Sequence, residues 1–515
     1  MLHLFAALLA AAPLAQCLIH GATPPLPVPP RLSAGDGARL HAQSGVVLPP
    51  LDTLYTFDQL IDHNNPSLGT FQQRYWSTWE YYKPGGVIIL TTPGETNADG
   101  YTGYLTNDTI NGQIAQAHNG ATIVLEHRFY GLSNPLPDLS VESLRLHTIQ
   151  QAIDDLEYFA KNVKLPFPGG DQVGPDKAPW VLVGGSYAGA LTAFTNVNKP
   201  GLFAASYASS AVVESITDFW AYFEPIRQHM PQNCSLDVQA AIARLDSILT
   251  GKNQTAIDAL KASFGMGDIV HLDDFAGALK TNLYIWQELG PGDGASVFYD
   301  FCDAMEVVDG VNAGPNGRGG EHALAGWGNY WTSYEYADVC GLSDAETCWG
   351  TYNANDSFWT STEVDNAERS WSWIVCNEMG FFQESAPISH PTVVSRLLNI
   401  SYDERTCQQY FPTAFPLPTA PQVERTNLAY EGWNLHTKHL YFGNGQLDPW
   451  LYATVSSPFT YVPDTPEQSI GLSAGGFHCS DLITSYGVAD ASVLAVQEKG
   501  LAAITRYLAE WRPAN

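Results

Sequence analysis

Positive charge is what this chain has least of. Over 515 residues, 24 lysines and arginines stand against 53 aspartates and glutamates, a formal net charge of −29. Such a surface repels the phosphates of nucleic acid and has no attraction for an anionic bilayer, so neither is an expected partner. Metal-ligand spacing is missing as well: the chain has no CxxC and no Cys/His cluster, so no metal and no cofactor is expected. Beyond residues 2–14 no apolar run approaches the length of a membrane span. Repeats and low-complexity tracts are absent outside a proline-rich leader. What is present is 45% hydrophobic content, ample for one large domain with an insertion, or for two domains.

Residues 2–14 are rich in alanine and leucine, and Ala15 and Cys17 supply small residues for cleavage. This predicts a signal peptide over 1–17, although only the amino terminus and His3 offer positive charge. The mature chain is expected to be secreted, with a vacuole or lysosome as the alternative destination. Five Asn-X-Ser/Thr sequons, at Asn107, Asn233, Asn253, Asn355 and Asn399, fit glycosylation on that route. Seven cysteines follow Cys17, and an oxidising compartment makes disulfides the default. The odd count leaves one thiol over, for which Cys479 is the candidate.

Residues 18–50 are rich in proline, glycine and alanine without apolar periodicity, and read as a flexible leader or propeptide, with order expected from Leu51. Buried strands are predicted at 87–92, 121–127 and 181–183, and an amphipathic helix at 148–163. The alternation of strand and helix implies a parallel sheet covered on both faces. It breaks near residue 215; residues 216–425 hold helical stretches and six of the seven mature cysteines, and read as an inserted, disulfide-containing helical cap. The sheet should resume within 426–515, with strands near 439–442 and 469–472 and a closing helix. At the centre of the first part, 51–215, the run Val181-Leu182-Val183-Gly184-Gly185-Ser186-Tyr187-Ala188-Gly189 passes from strand through a glycine-rich turn into a helix. Serine at the tip of such a turn is the nucleophile elbow of α/β-hydrolases, with Ala188 where glycine is usual.

A serine hydroxyl needs a base to take its proton and a third group to orient that base. In this fold the order is serine, acid, histidine, on loops after later strands. Asp448 follows the strand Leu440-Tyr441-Phe442, and His478 follows the next, within Gly475-Gly476-Phe477-His478-Cys479-Ser480. Read alone, Asp448 fits a turn or helix cap and His478 is one histidine among 14; the conjunction of contexts in order favours a Ser186, Asp448, His478 triad. Asp481 is a rival acid, though its position suggests a helix start. An oxyanion hole would take one N–H from Tyr187 and one from Gly94 or Glu95. Glu126-His127-Arg128 ends at the same sheet edge and fits either a site wall or a structural ion pair.

These motifs resemble those of the secreted serine peptidases of prolyl carboxypeptidase and dipeptidyl-peptidase II type. The resemblance runs from Phe57-Asp58-Gln59-Leu60-Ile61-Asp62-His63, through Gly184-Gly185-Ser186-Tyr187 and Trp371-Ser372-Trp373, to Gly476-Phe477-His478. Thr92-Pro93-Gly94-Glu95 and Ala98-Asp99-Gly100-Tyr101 look most like the fungal acid prolyl endopeptidases. The resemblance implies an α/β-hydrolase core with a helical cap, the same triad, and cleavage after proline in proline-containing peptides or proteins. Cys479 stands where animal exopeptidases of this type carry a second histidine, so the expectation is a prolyl endopeptidase, with a proline-specific exopeptidase as the alternative and a catalytically silent binding protein last, since the triad is intact. The chain is expected as a monomer or homodimer. A proline pocket should be flat and apolar, with Trp450 first, then Trp373 and Met379, as candidates, the last two equally readable as core. Acid activity would require burial or neighbouring cations to hold His478 below its ordinary pKa of about 6.5.

Overall fold

Residues 87–90 and 181–183 are apolar without a break because the strands they form have no solvent-facing side. In the computed structural model, which describes residues 23–294 and 296–513, Ile88, Ile89, Val181, Leu182 and Val183 have no exposed surface. The expected signal peptide at 1–17, with Cys17, lies outside the described residues. In chain order the strands are β1 (Tyr55–Leu60), β2 (Thr70–Thr78), β3 (Ile88–Thr91), β4 (Ala121–Leu125), β5 (Trp180–Gly185), β6 (Ala205–Ser209), β7 (Ile216–Asp218), β8 (Gly380–Phe382), β9 (Leu440–Gly445) and β10 (Gln468–Ser473). Eight form one sheet in the order β1-β2-β4-β3-β5-β6-β9-β10. The β1–β2 and β2–β4 pairs are antiparallel, and every pair from β4 to β10 is parallel.

Alternation along each strand sends side chains to two cores. Ile88, Leu90 and Leu182 pack with the helices Ile149–Asn162 and Ser186–Asn198 on one face. Ile89, Val181, Val183, Tyr207 and Tyr441 pack with the helices Ile110–His118 and Ala491–Glu510 on the other. This is an α/β-hydrolase sheet with helices on both faces.

Between β6 and β9 the chain leaves the sheet and folds almost wholly into helices, apart from the short parallel pair β7–β8. The disulfides Cys234–Cys302, Cys340–Cys348 and Cys376–Cys407 all lie there, and Cys479 is free and buried in the core, as the odd cysteine count suggested. Among the described residues no helix is long and apolar enough to cross a membrane.

The leader departs from expectation. Order does not begin at Leu51: from residue 23 the chain packs along the body, Leu48 is 3% exposed, and His41 bridges Val47. Proline-rich extended chain has no apolar period to read, yet its rings and carbonyls are good docking groups.

Of the sequons, Asn107, Asn253, Asn355 and Asn399 are exposed. Asn233 differs. It is partly buried in the helix Gln232–Leu249, and its amide nitrogen donates to Glu306 Oε2 at 2.6 Å and Asn312 Oδ1 at 3.1 Å. A glycan on that nitrogen would take one of its two hydrogens and with it at least one of these bonds. Peptide mapping after enzymatic deglycosylation is expected to find asparagine converted to aspartate at one or more of the four exposed sequons and not at 233.

Candidate active site

The turn after β5 is built for close approach. Ser186 has φ +59°, a left-handed conformation costly for a residue with a side chain. The glycines around it are there for space. A Cβ on Gly184 would lie 2.1 Å from Ala188 O, and one on Gly189 2.6 Å from Ser209 O. Ala188 is a small residue in the same packed turn, with no exposed surface. Ser186 then heads its helix, and the N–H of Tyr187, in the first turn, has no intrahelical acceptor.

The acid and base arrive on loops after adjacent parallel strands. Asp448 follows β9, His478 follows β10, and Leu447 N–H donates to Gly476 O at 3.0 Å to lash the two loops together. Gly445 makes that possible, since a Cβ there would sit 2.1 Å from Gly476 O. His478 Nδ1 donates to Asp448 Oδ1 at 2.9 Å, and the Trp450 N–H donates to the same oxygen at 2.8 Å. With Nδ1 carrying the proton, Nε2 holds the lone pair a general base needs. Ser186, Asp448 and His478 are 0%, 0% and 3% exposed, yet Ser186 Oγ, His478 Nε2 and Asp448 Oδ2 make no hydrogen bond to the protein. Without a protein partner, these three atoms are available to a substrate.

The electrostatics reverse one expectation. Burial, the largest single effect, disfavours the imidazolium, but the Asp448 carboxylate and the neighbouring Cys479 sulfur together outweigh it and hold His478 well above its ordinary range. Lowering of the His478 pKa, which acid activity would need, is thus not what the site does. Burial pushes the Glu95 carboxyl well above the usual carboxylate range, and both its oxygens are unpartnered. Among the oxyanion candidates, Gly94 N–H is turned to Thr92 Oγ1 at 3.3 Å, which favours Glu95 and Tyr187.

The remaining candidates divide. Asp481 accepts from Tyr207 OH at 2.8 Å and Ser209 Oγ at 2.6 Å, so its role is to tie the sheet. Arg128 is locked to Asp155 by two bonds of 2.5 and 2.6 Å, and Glu126 accepts from the N–H groups of Ala98, Leu132 and Ser133, so this cluster is structural. Trp450 stands over the site, 1% exposed, its ring 6.3 Å from that of His478. It also lines an apolar cavity with Trp371 and Phe381. Trp373 and Met379 are corrected to core: the Trp373 indole donates to His147 O at 3.1 Å and its ring packs on Phe411, while Met379 is fully buried against Ser215. Residues two apart on a helix face opposite sides, so of the Trp371/Trp373 pair only one can reach the cavity. Gln287, which accepts from the Trp450 indole at 2.6 Å, had no local signal in the sequence.

Comparison with known proteins matches the profile of a family described as Serine carboxypeptidase S28 over residues 59–499. The chain is 35% identical to "Serine protease vicPa" of Bipolaris victoriae (strain FI3), over 88% of either protein. It is 34% identical to "Probable extracellular serine carboxypeptidase" of Arthroderma benhamiae (strain ATCC MYA-4681 / CBS 112371), over 76% of this chain and 59% of the other.

A raised His478 is protonated up to a higher pH, and its base form is lost as pH falls through that pKa. Asp448→Asn removes the charge that raises it. The acidic limb of the pH profile of kcat/KM is therefore expected to move to lower pH, while kcat falls by on the order of 10⁴ as the ring loses its orientation. An unmoved limb in the pH titration would overturn the assignment of Asp448.

Proposed function

We propose, from the premise that this chain belongs to the serine carboxypeptidase S28 family and is a serine-type peptidase, that it hydrolyses peptide bonds on the carboxyl side of proline. His478 Nε2 takes the proton of Ser186 Oγ as the serine attacks the proline carbonyl. The tetrahedral oxyanion is held by the N–H groups of Tyr187 and Glu95. Collapse transfers the proton from His478 to the leaving amine and leaves an acyl-enzyme, which water, activated by the same base, then hydrolyses. Asp448 orients the imidazole throughout and stabilises its cationic form. The observation that carries this reading is the His478–Asp448 bond beside a buried serine held in a left-handed turn.

Proline is supported as the residue before the cut by the cavity of Trp371, Phe381 and Trp450, aromatic faces suited to a ring that offers no polar group. Secretion is supported by the predicted signal peptide, the sequons and the cap disulfides, and by a relative named as extracellular. Cleavage within a chain is the leading mode, from the likeness of Thr92-Pro93-Gly94-Glu95 to the endopeptidase type and from Cys479 standing where animal exopeptidases carry a second histidine. A second reading rests on Asp403, which lines the same cavity and has an unpartnered buried oxygen. A carboxylate there would suit the ammonium of a free amino terminus and a dipeptidyl-peptidase mode. Acid activity, implied by the resemblance, would need a neutral imidazole at low pH, which the Asp448 charge opposes.

Three peptides separate the modes: one blocked at both ends with an internal proline, one with a free amino-terminal X-Pro, and one ending in Pro-X. Fastest hydrolysis of the first is expected; failure on it with turnover of the second would select the dipeptidyl reading. Ser186→Ala should fold normally and lose turnover of all three, and retained activity would sink the mechanism.

A further inference from the structure

The candidate triad is sealed. Ser186 has no exposed surface and His478 only 3%, which a peptidase acting on external chains cannot tolerate while working. The leader runs from the aromatic cavity to the elbow. Residues 23–30 read Thr-Pro-Pro-Leu-Pro-Val-Pro-Pro, five prolines in eight residues. Thr23, Pro24 and Pro25 line the same cavity as Trp371, Phe381 and Trp450. The Leu26 carbonyl accepts from Gln287 Nε2 at 3.0 Å, and the other end of that amide, Oε1, accepts from the Trp450 indole. Pro27 and Pro29 are buried. Pro29 reaches the elbow itself, with its Cβ 3.0 Å from where a Cβ on Gly185 would stand. Tyr101 OH donates to the Pro29 carbonyl at 3.0 Å, Tyr104 OH to the Pro30 carbonyl at 2.8 Å, and Gly103 N–H to the Leu32 carbonyl at 2.9 Å.

We propose that the groove running from Trp371 and Trp450 to Gly185 is the binding site for extended, proline-rich peptide, and that residues 23–31 occupy it as a tethered inhibitor. The proposal rests on the peptidase reading above, and deepens it by naming the form of substrate the groove takes. Two features fit an occupant of such a groove. Proline-rich chain is already extended and loses little entropy on docking against aromatic walls. Its carbonyls are its free polar groups, and the groove answers three of them with donors from a glutamine and two tyrosines. The space left in the cavity beside Pro24 and Pro25 is about 60 Å³, far below the roughly 300 Å³ at which ligand sites begin. The leader also escapes hydrolysis at the elbow. The Pro29 carbonyl is turned to Tyr101, and the next residue, Pro30, lacks the N–H of an ordinary leaving amine.

The turn at Gly35, Asp36 and Gly37 is exposed and joins this segment to the body. A recognition sequence for a site-specific protease inserted between Gly35 and Asp36 lets the full chain fold first and be cut afterwards. Covalent labelling of Ser186 by a fluorophosphonate is then followed before cutting, after cutting and removal of the freed leader, and after adding back a synthetic peptide of residues 23–35. The labelling rate is expected to rise at least tenfold on release, which the mass of the protein confirms, and to fall again with the peptide. An equal rate before and after confirmed release would overturn the proposal. Faster labelling without hydrolysis of any proline peptide would uphold the tethered ligand and sink the peptidase reading instead. Should Ser186 label in neither state, binding of the 23–35 peptide to the cut Ser186→Ala protein, read by tryptophan fluorescence, decides: saturable quenching or enhancement supports the groove, and no change refutes it.

Discussion

The bonds from Leu447 N–H to Gly476 O and from Gln446 N–H to Ser473 O clamp together the two loops that carry the acid and the base. β9 and β10 run parallel, so their carboxyl ends lie side by side, and the residues beyond them leave the sheet at the same edge. With the loops clamped, Asp448 Oδ1 sits within hydrogen-bonding distance of both His478 and the Trp450 N–H. The Trp286 indole adds a bond of 2.7 Å to the Leu447 carbonyl from the cap side. The acid is thus positioned by sheet, neighbouring loop and cap at once. That redundancy fixes the carboxylate in one orientation at a position with no exposed surface.

Behind the serine lies a second buried polar layer with a different purpose. Tyr187 OH donates to His127 Nε2 at 3.3 Å, and His127 Nδ1 donates to the Arg128 carbonyl at 2.8 Å. Burial pushes His127 down to about 4 and His147 well below its ordinary value, so both rings are neutral. Arg128 is paired with Asp155, which also accepts from His63 at 2.7 Å. The layer fixes the side chain that follows the nucleophile and carries no spare charge toward it. His478 faces the Asp448 carboxylate with its Nε2 unengaged, whereas His127 and His147, just as deeply buried, are held neutral; the difference is the partner, not the burial.

Much of this was legible in the sequence because the relevant signals are local. A strand ending in Gly-Gly-Ser, a Gly-Asn-Gly turn before Asp448 and a Gly-Gly before His478 each report a backbone demand. The chain order of the three supplies the rest. Apolar runs place the buried strands to within three residues, since a parallel strand covered on both faces has no polar side to confuse the reading. What stayed hidden was decided across the chain. Trp371 and Trp373 are indistinguishable by composition, and only the packing of their helix turns one to the cavity and the other to Phe411. The direction of the His478 shift hung on a carboxylate 30 residues away at 2.9 Å. Cysteine parity gave the free thiol, but pairing needed the cap.

The leader failed to declare itself for a related reason. Secondary structure is read from periodicity, and proline-rich chain has none, so absence of a pattern was taken as absence of order. The groove imposes a different grammar: rings against rings, and backbone carbonyls against side-chain donors. A segment meeting those terms is chemically close to the substrate that the aromatic cavity would select, and this resemblance is what makes it effective. A tether holds such a segment at an effective concentration on the order of millimolar, so even modest intrinsic affinity keeps the cleft filled. The same arithmetic makes the hold reversible, since one cut in the exposed turn at 35–37 turns an intramolecular ligand into a dilute one. A peptidase on the secretory route passes other proteins at high concentration before it leaves, and a cleft closed by its own amino-terminal segment is protected until that tether is broken.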